Sequence, residues 1–155
     1  MSAISGNYFN FSKETIKEIE RGGTIVQILT PAVPLAYSIW NKDYYGFGCI
    51  AAALIANQIC IESLKRLIPE TRPNGHSLSF PSGHTMATAF GAAALVKRNG
   101  IENIPLIVVI AACVAVIGVG FSRVVAGKHW THDVIAGGGL GSGVAWWLIP
   151  TLGSK

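Results

Sequence analysis

Charge is the scarcest commodity in this 155-residue chain: Asp, Glu, Lys and Arg together make up 13% of it, about half the share of an ordinary soluble domain. With the 18 glycines added to the apolar types and the tyrosines removed, roughly 59% of the chain is apolar, against about 45–50% expected. A sphere of this size has too much surface to hide that much apolar material from water. A bilayer supplies the missing solvent. The opposing reading, a soluble helical domain with a greasy docking face, draws on a mean hydropathy of only +0.45. Cysteine is also sparse. Cys49, Cys60 and Cys113 each sit in an apolar run with no paired spacing, which excludes a disulfide framework or a cysteine-based metal site. The net charge of +4 is too modest to call for nucleic acid as a partner. Residues 1–22 lack a basic start, an apolar stretch and a cleavage site, so no signal peptide is expected.

What is present is five long apolar runs. Residues 22–40, 44–61, 104–121 and 134–151 carry no formal charge, and residues 77–96 carry one ionisable group, His84. About 20 apolar residues cross a bilayer as a helix, so an all-α bundle of about five spanning helices is expected. Ahead of it, Ile16 and Ile19 share a face among Lys13, Glu14, Lys17, Glu18 and Glu20, with Ser12 or Thr15 as cap. That spacing predicts a short amphipathic helix at the interface, stopped by Gly22 and Gly23. The expected organisation is an amphipathic segment over 1–22 and one helix-bundle domain over 23–155. Pro31 and Pro34 are expected to kink the first span. Gly137, Gly138, Gly139, Gly141 and Gly143 are expected to let the last helix approach its neighbours closely.

If the runs alternate in direction, the charged connections 62–80 and 122–133 fall on one side and the brief turns 41–43 and 97–103 on the other. Lys65, Arg66, Arg72, His76, His84, Arg123, Lys128, His129, His132 and Asp133 then gather at one end. Ionisable groups at a membrane edge are costly unless they pair or bind something. A set of cations including Lys65, Arg72 and Arg123 suits an anion with several oxygens. Ser82 and Gly83 add a hydroxyl and backbone N–H groups at a helix start. His129 and Asp133, four apart, share a helical face, so the carboxylate can orient one imidazole nitrogen and leave the other free as nucleophile or base. His84, at the same end, can give a proton to a leaving oxygen.

Lys65 with Arg72-Pro73 seven residues on, then Pro81-Ser82-Gly83-His84, then Ser122-Arg123 with His129 and Asp133 following, resembles the three-part signature of the type 2 phosphatidic-acid phosphatase superfamily. The order and spacings match, over residues 65–133. The resemblance implies a membrane-embedded lipid phosphatase working through a phosphohistidine. Lys65, Arg72 and Arg123 would bind phosphate oxygens, assisted by Ser82 and the Gly83 backbone. His129 would attack phosphorus, Asp133 would orient it, and His84 would protonate the departing alkoxide. No metal or other cofactor is implied, since the cations stabilise the charge that Mg²⁺ stabilises elsewhere.

The implied partners are a lipid phosphate and the bilayer; nothing in the sequence sets an oligomeric state. Phosphatidic acid, phosphatidylglycerol phosphate, polyprenyl diphosphates and lipid A phosphates all remain open as substrates. By family analogy the site faces the periplasm or exterior of a bacterial inner membrane. The family's membrane members usually carry six spans, of which this chain resembles the last five. His76 and His132 are read as solvated loop residues, with contact to a second phosphate or headgroup as the alternative. Arg66 and Glu70 are expected to pair, and Trp40, Trp130, Trp146 and Trp147 to serve as interfacial or packing aromatics. The rival functions are a soluble or membrane-associated nonspecific acid phosphatase and a non-catalytic membrane scaffold.

Overall fold

The computed structural model describes residues 10–152, and no strand occurs among them. The sequence expectations for residues 1–9 and 153–155 lie outside the described residues. Five helices follow in order: α1 Lys13–Trp40, α2 Tyr44–Leu67, α3 Gly83–Asn99, α4 Leu106–Val125 and α5 Thr131–Leu148, with a single 3₁₀ turn at Ile101–Asn103 before α4. The all-helical bundle agrees with the sequence expectation. Of these helices, α1, α2 and α4 are long and apolar enough to cross a membrane. The other two are shorter, and α3 is the most enclosed, with Phe90, Met86, Thr88 and Ala94 at its heart fully buried.

The first helix departs from expectation. Ser12 caps it, its side chain accepting from Thr15 N at 3.1 Å, but the helix does not stop at Gly22 and Gly23. It runs on through Pro31 and Pro34 to Trp40. Gly23 is buried, and a Cβ there would collide with the Ser122 side chain of α4. The glycine pair is thus a site of helix contact rather than a terminator: glycine in a helix costs only about 1 kcal/mol, which packing against α4 offsets. The amphipathic segment and the first span are one helix.

The outer faces of α1, α2 and α4 expose Ile25, Ile28, Leu29, Ile55, Ile59, Ile107, Ile110, Val114 and Ile117. Contiguous apolar surface on this scale calls for an apolar surrounding. Trp40, Tyr44, Tyr45, Trp146 and Trp147 are exposed where α1 and α5 end and α2 begins, in the manner of an interfacial aromatic belt. The same end holds a buried core of Ile50, Ala53, Phe90, Ala94, Ala145 and Ile149. It is closed by Arg98, which is 4% exposed and forks onto both oxygens of Asp43 at 2.7 and 2.8 Å. Asp43 lies in the connection before α2, and the guanidinium holds its carboxyl below the usual 3.8.

At the opposite end α3 and α5 pack most tightly. Gly137 faces the Ser82 carbonyl and Gly141 the Met86 carbonyl, each so closely that a Cβ would overlap backbone. Gly139 and Gly143 face open space, and a Cβ on Gly138 would make only an ordinary contact with Thr85. Of the five glycines singled out in the sequence, two make the close approach.

Gly141→Leu is therefore expected to destabilise the bundle by at least about 1–3 kcal/mol, the usual cost of overpacking. Gly143→Ala should be neutral or slightly stabilising through helix propensity. Thermal unfolding in detergent checks this; equal midpoints for both variants would contradict the α3–α5 contact.

Candidate active site

The polar end of the bundle is assembled from the starts of α1, α3 and α5, the ends of α2 and α4, and the connections 68–82 and 126–130. Backbone bonds knit these connections together: Asn74 N donates to Gly127 O at 3.1 Å, Ser79 N to Glu70 O at 2.8 Å and Ser82 N to Asp133 O at 3.1 Å. Trp130 Nε1 donates to Thr71 O at 2.9 Å. The charged connections thus lie on one side, while the Asp43–Arg98 pair joins the two brief turns on the other.

A pocket of about 420 Å³ opens at this end. Six of the eight residues singled out in the sequence line it: Lys65, Arg72, Gly83, His84, Arg123 and His129. Lys65 lies in the last turn of α2, where its Nζ donates to Leu78 O at 2.9 Å and Pro81 O at 3.1 Å. These bonds fold the 68–82 connection back over the helix end. Arg72 lies in that connection, and its Nε is a buried donor with no acceptor. An unmatched guanidinium donor in a pocket wall is costly and matches a phosphate oxygen. Arg123, 3% exposed, is steered by Glu20 of α1, whose carbonyl accepts from Nη2 at 2.7 Å. Gly83 opens α3, so its N–H is among the first-turn donors with no intrahelical acceptor.

Asp133 lies behind His129, away from the pocket, and is fully buried. Its Oδ2 accepts from Ser79 Oγ at 2.5 Å and Trp130 N at 2.8 Å, and stands 3.5 Å from His129 Nδ1. That distance is too long for a hydrogen bond, and contacts of this kind tighten when substrate binds. With Nδ1 facing the carboxylate, Nε2 is the nitrogen left for chemistry. Burial, reinforced by the charges of Lys65 and Arg72, pushes His129 down to about 4, against the opposing pull of Asp133. The imidazole is therefore neutral at physiological pH, with its lone pair available.

Ser82 is not at the pocket wall. It is fully buried, and its hydroxyl pairs with Thr85 Oγ1 at 3.0 Å. Glu70 does not pair with Arg66 as expected; its carboxylate takes His132 Nε2 at 2.9 and 3.0 Å. His132 is thus exposed but held. Glu20, which is not among the site residues singled out in the sequence, also lines the pocket and places its carboxylate 3.3 Å from Lys128 Nζ.

The pocket is thus cationic and holds two histidines at one end of a helix bundle. The family model described as the PAP2 superfamily matches residues 46–154, and the chain belongs to that superfamily. It is 34% identical over 134 residues to a lipid A 1-phosphatase of Rhizobium johnstonii, covering 74% of this chain and 48% of that protein. It is 33% identical over 96 residues to phosphatidylglycerophosphatase B of Bacillus subtilis, covering 56% and 46% respectively. The chain thus spans about half the length of these curated relatives. The solved structure of a transmembrane PAP2-type phosphatidylglycerolphosphate phosphatase from Bacillus subtilis superposes with a TM-score of 0.70. That superposition covers 92% of this chain and 78% of the other at 22% identity, a likeness of fold.

The depressed His129 has a consequence for the fold. Between its ordinary 6.5 and about 4, the unfolded chain carries a proton on this imidazole that the folded chain does not. Stability therefore falls as pH drops through that window. His129→Gln should flatten that part of the profile. Unfolding measured in detergent at pH 7 and pH 4.5 checks it; equal losses in variant and wild type would contradict a desolvated His129.

Proposed function

We propose that this chain hydrolyses a phosphate monoester or diphosphate carried on a membrane lipid, without a metal, through a phosphohistidine on His129. The observation that carries the reading is the shared pocket wall: His129 and His84 face the same space as Lys65, Arg72 and Arg123, with Asp133 buried behind the nucleophile. Lys65, Arg72 and Arg123 hold the phosphate oxygens and stabilise the charge that develops on them. His129 Nε2 donates its lone pair to phosphorus as the bond to the lipid oxygen breaks. The leaving alkoxide takes a proton from His84. Asp133 balances the imidazolium character that grows on His129. Water then attacks phosphorus while giving a proton to His84, so that inorganic phosphate leaves and both imidazoles return to their starting states. Ser82, turned away from the pocket, serves by fixing the start of α3 rather than by touching phosphate.

The polar end lies where three apolar helices terminate, so a phosphate can reach the pocket while its acyl or prenyl chains stay in the bilayer. In this reading the expected boundary at residue 23 gives way to a catalytic unit that includes α1 from its start, since Glu20 lines the pocket, and the bundle sits in a bacterial inner membrane with the pocket on the periplasmic or outer side. The named relatives act on lipid A and phosphatidylglycerophosphate, and their common chemistry supports a lipid phosphate here.

His129→Ala is expected to lower phosphate release from lipid substrates by several orders of magnitude, as loss of a nucleophile does. His84→Ala should be severe on an alkyl phosphate and milder on an aryl phosphate, whose leaving group needs little protonation. Near-normal turnover by His129→Ala would overturn the mechanism.

Metal dependence tests the electrostatics separately. Hydrolysis should continue in excess EDTA, and vanadate should inhibit. Loss of activity in EDTA that Mg²⁺ restores would show that the three cations do not suffice.

A further inference from the structure

On the outer side of Asp133, away from His129, the structure sets two groups that the phosphatase chemistry leaves unused, Glu70 and His132, beside the carboxylate oxygen that does not face His129. Glu70, His132 and Asp133 each offer one ligand atom, and these atoms lie within 4.8 Å of one another. His132 Nε2 is 2.9 Å from Glu70 Oε1, 3.0 Å from Glu70 Oε2 and 3.3 Å from Asp133 Oδ1. A neutral imidazole has a single N–H to give. Directed to Glu70, it leaves nothing for Asp133 Oδ1, which is fully buried and has no hydrogen-bond partner. An unmatched carboxylate oxygen in a buried position costs more than an ordinary lost hydrogen bond. It lies on the side of the carboxylate facing His132 and Glu70.

We propose that Glu70, His132 and Asp133 form a binding site for a divalent transition-metal ion of the Zn²⁺ type. Zn²⁺ takes imidazole nitrogen and carboxylate oxygen at about 2.0–2.2 Å, which requires ligands roughly 3.3 Å apart. The His132–Glu70 and His132–Asp133 separations already meet that requirement. The remaining edge, Glu70 to Asp133, closes by rotation of the half-buried Glu70 side chain, with water filling the outer coordination. The cation takes the place of the proton on His132 Nε2, which leaves to solvent, and gives Asp133 Oδ1 its missing partner. The groups are held in place around it. Ser79 N donates to Glu70 O at 2.8 Å, Ser79 Oγ fixes the inner oxygen of Asp133, and the Phe80 ring stacks on His132 with centroids 6.4 Å apart. Two carboxylates offset the repulsion of Lys65 and Arg72 across the pocket.

The site shares a carboxylate with the proposed nucleophile pair, and its effect on turnover rests on the reading in the preceding subsection. A cation on Oδ1 draws charge from Oδ2, so Asp133 supports the forming imidazolium on His129 less well. Bound metal is therefore inhibitory, which agrees with hydrolysis that needs none.

Titration of the detergent-solubilised full chain with Zn²⁺ alone, by calorimetry and by the shift in thermal midpoint, tests the site. One ion per chain is expected. Glu70→Gln and His132→Ala should each weaken binding at least about tenfold and abolish the midpoint shift, while His76→Ala, at an exposed histidine outside the cluster, should change neither. Turnover by His132→Ala should then resist Zn²⁺ concentrations that inhibit wild type. Absence of binding, or binding indifferent to both Glu70 and His132, would overturn the site and leave the phosphohistidine mechanism standing. Loss of turnover in chelator, with Zn²⁺ still held by these residues, would do the reverse.

Discussion

The close approach of α3 to α5 sets the geometry on which the pocket end of the bundle depends. Gly137 and Gly141 bring α5 onto the backbone of α3, and at the same contact Ser82 N donates to the Asp133 carbonyl. Ser82, the cap residue ahead of α3, is thereby tied to Asp133 in the first turn of α5. Gly83 and His84 follow directly on α3, and His129 lies in the connection just ahead of α5. Two motifs some fifty residues apart in the chain become one wall of a pocket because two helices touch where they carry no side chain. Membrane helices gain little from a hydrophobic drive between them, so van der Waals contact of this kind does the work of association.

The ion pairs lie at the two ends of the bundle. At the far end the Asp43–Arg98 fork is reinforced by Arg98 Nη1 donating to Pro150 O at 2.9 Å and Leu152 N donating to Arg98 O at 2.7 Å. One arginine thus joins the turn before α2, the end of α3 and the tail after α5. Removing one member of such a buried pair is far more damaging than replacing both. At the polar end Arg72 Nε, His129 Nδ1 and Asp133 Oδ1 are buried without a hydrogen-bond partner. Such groups collect at functional sites in otherwise well-satisfied structures.

Much of this was legible in the sequence because local spacing and alternation of direction determine it. Uncharged runs gave the helices, and the charged connections fell together because an up-and-down bundle leaves no other arrangement. Lys65, Arg72, His84, Arg123 and His129 converge for that reason. What escaped depends on side-chain direction or distant contact. Ser82 is at the expected position, yet its hydroxyl turns to Thr85 because Thr85 lies one turn along the same helix start. Glu70 was matched with Arg66 by proximity in the chain, but the 68–82 connection folds back and delivers it to His132, 62 residues away. Gly22 and Gly23 read as a helix stop because nothing local reveals that Ser122 of α4 packs against Gly23. Glu20 escapes because its contact with Arg123 spans 103 residues.

The central claim is that His129 carries the phosphoryl group during turnover. Rapid quenching of the enzyme with a lipid phosphate labelled on phosphorus tests it most directly. The label should appear on the peptide containing His129, released by acid and stable to base, and should be absent in His129→Ala. Steady turnover by active enzyme with no protein-bound label at any quench time, and oxygen from solvent water transferred to phosphorus in a single inverting step, would contradict it.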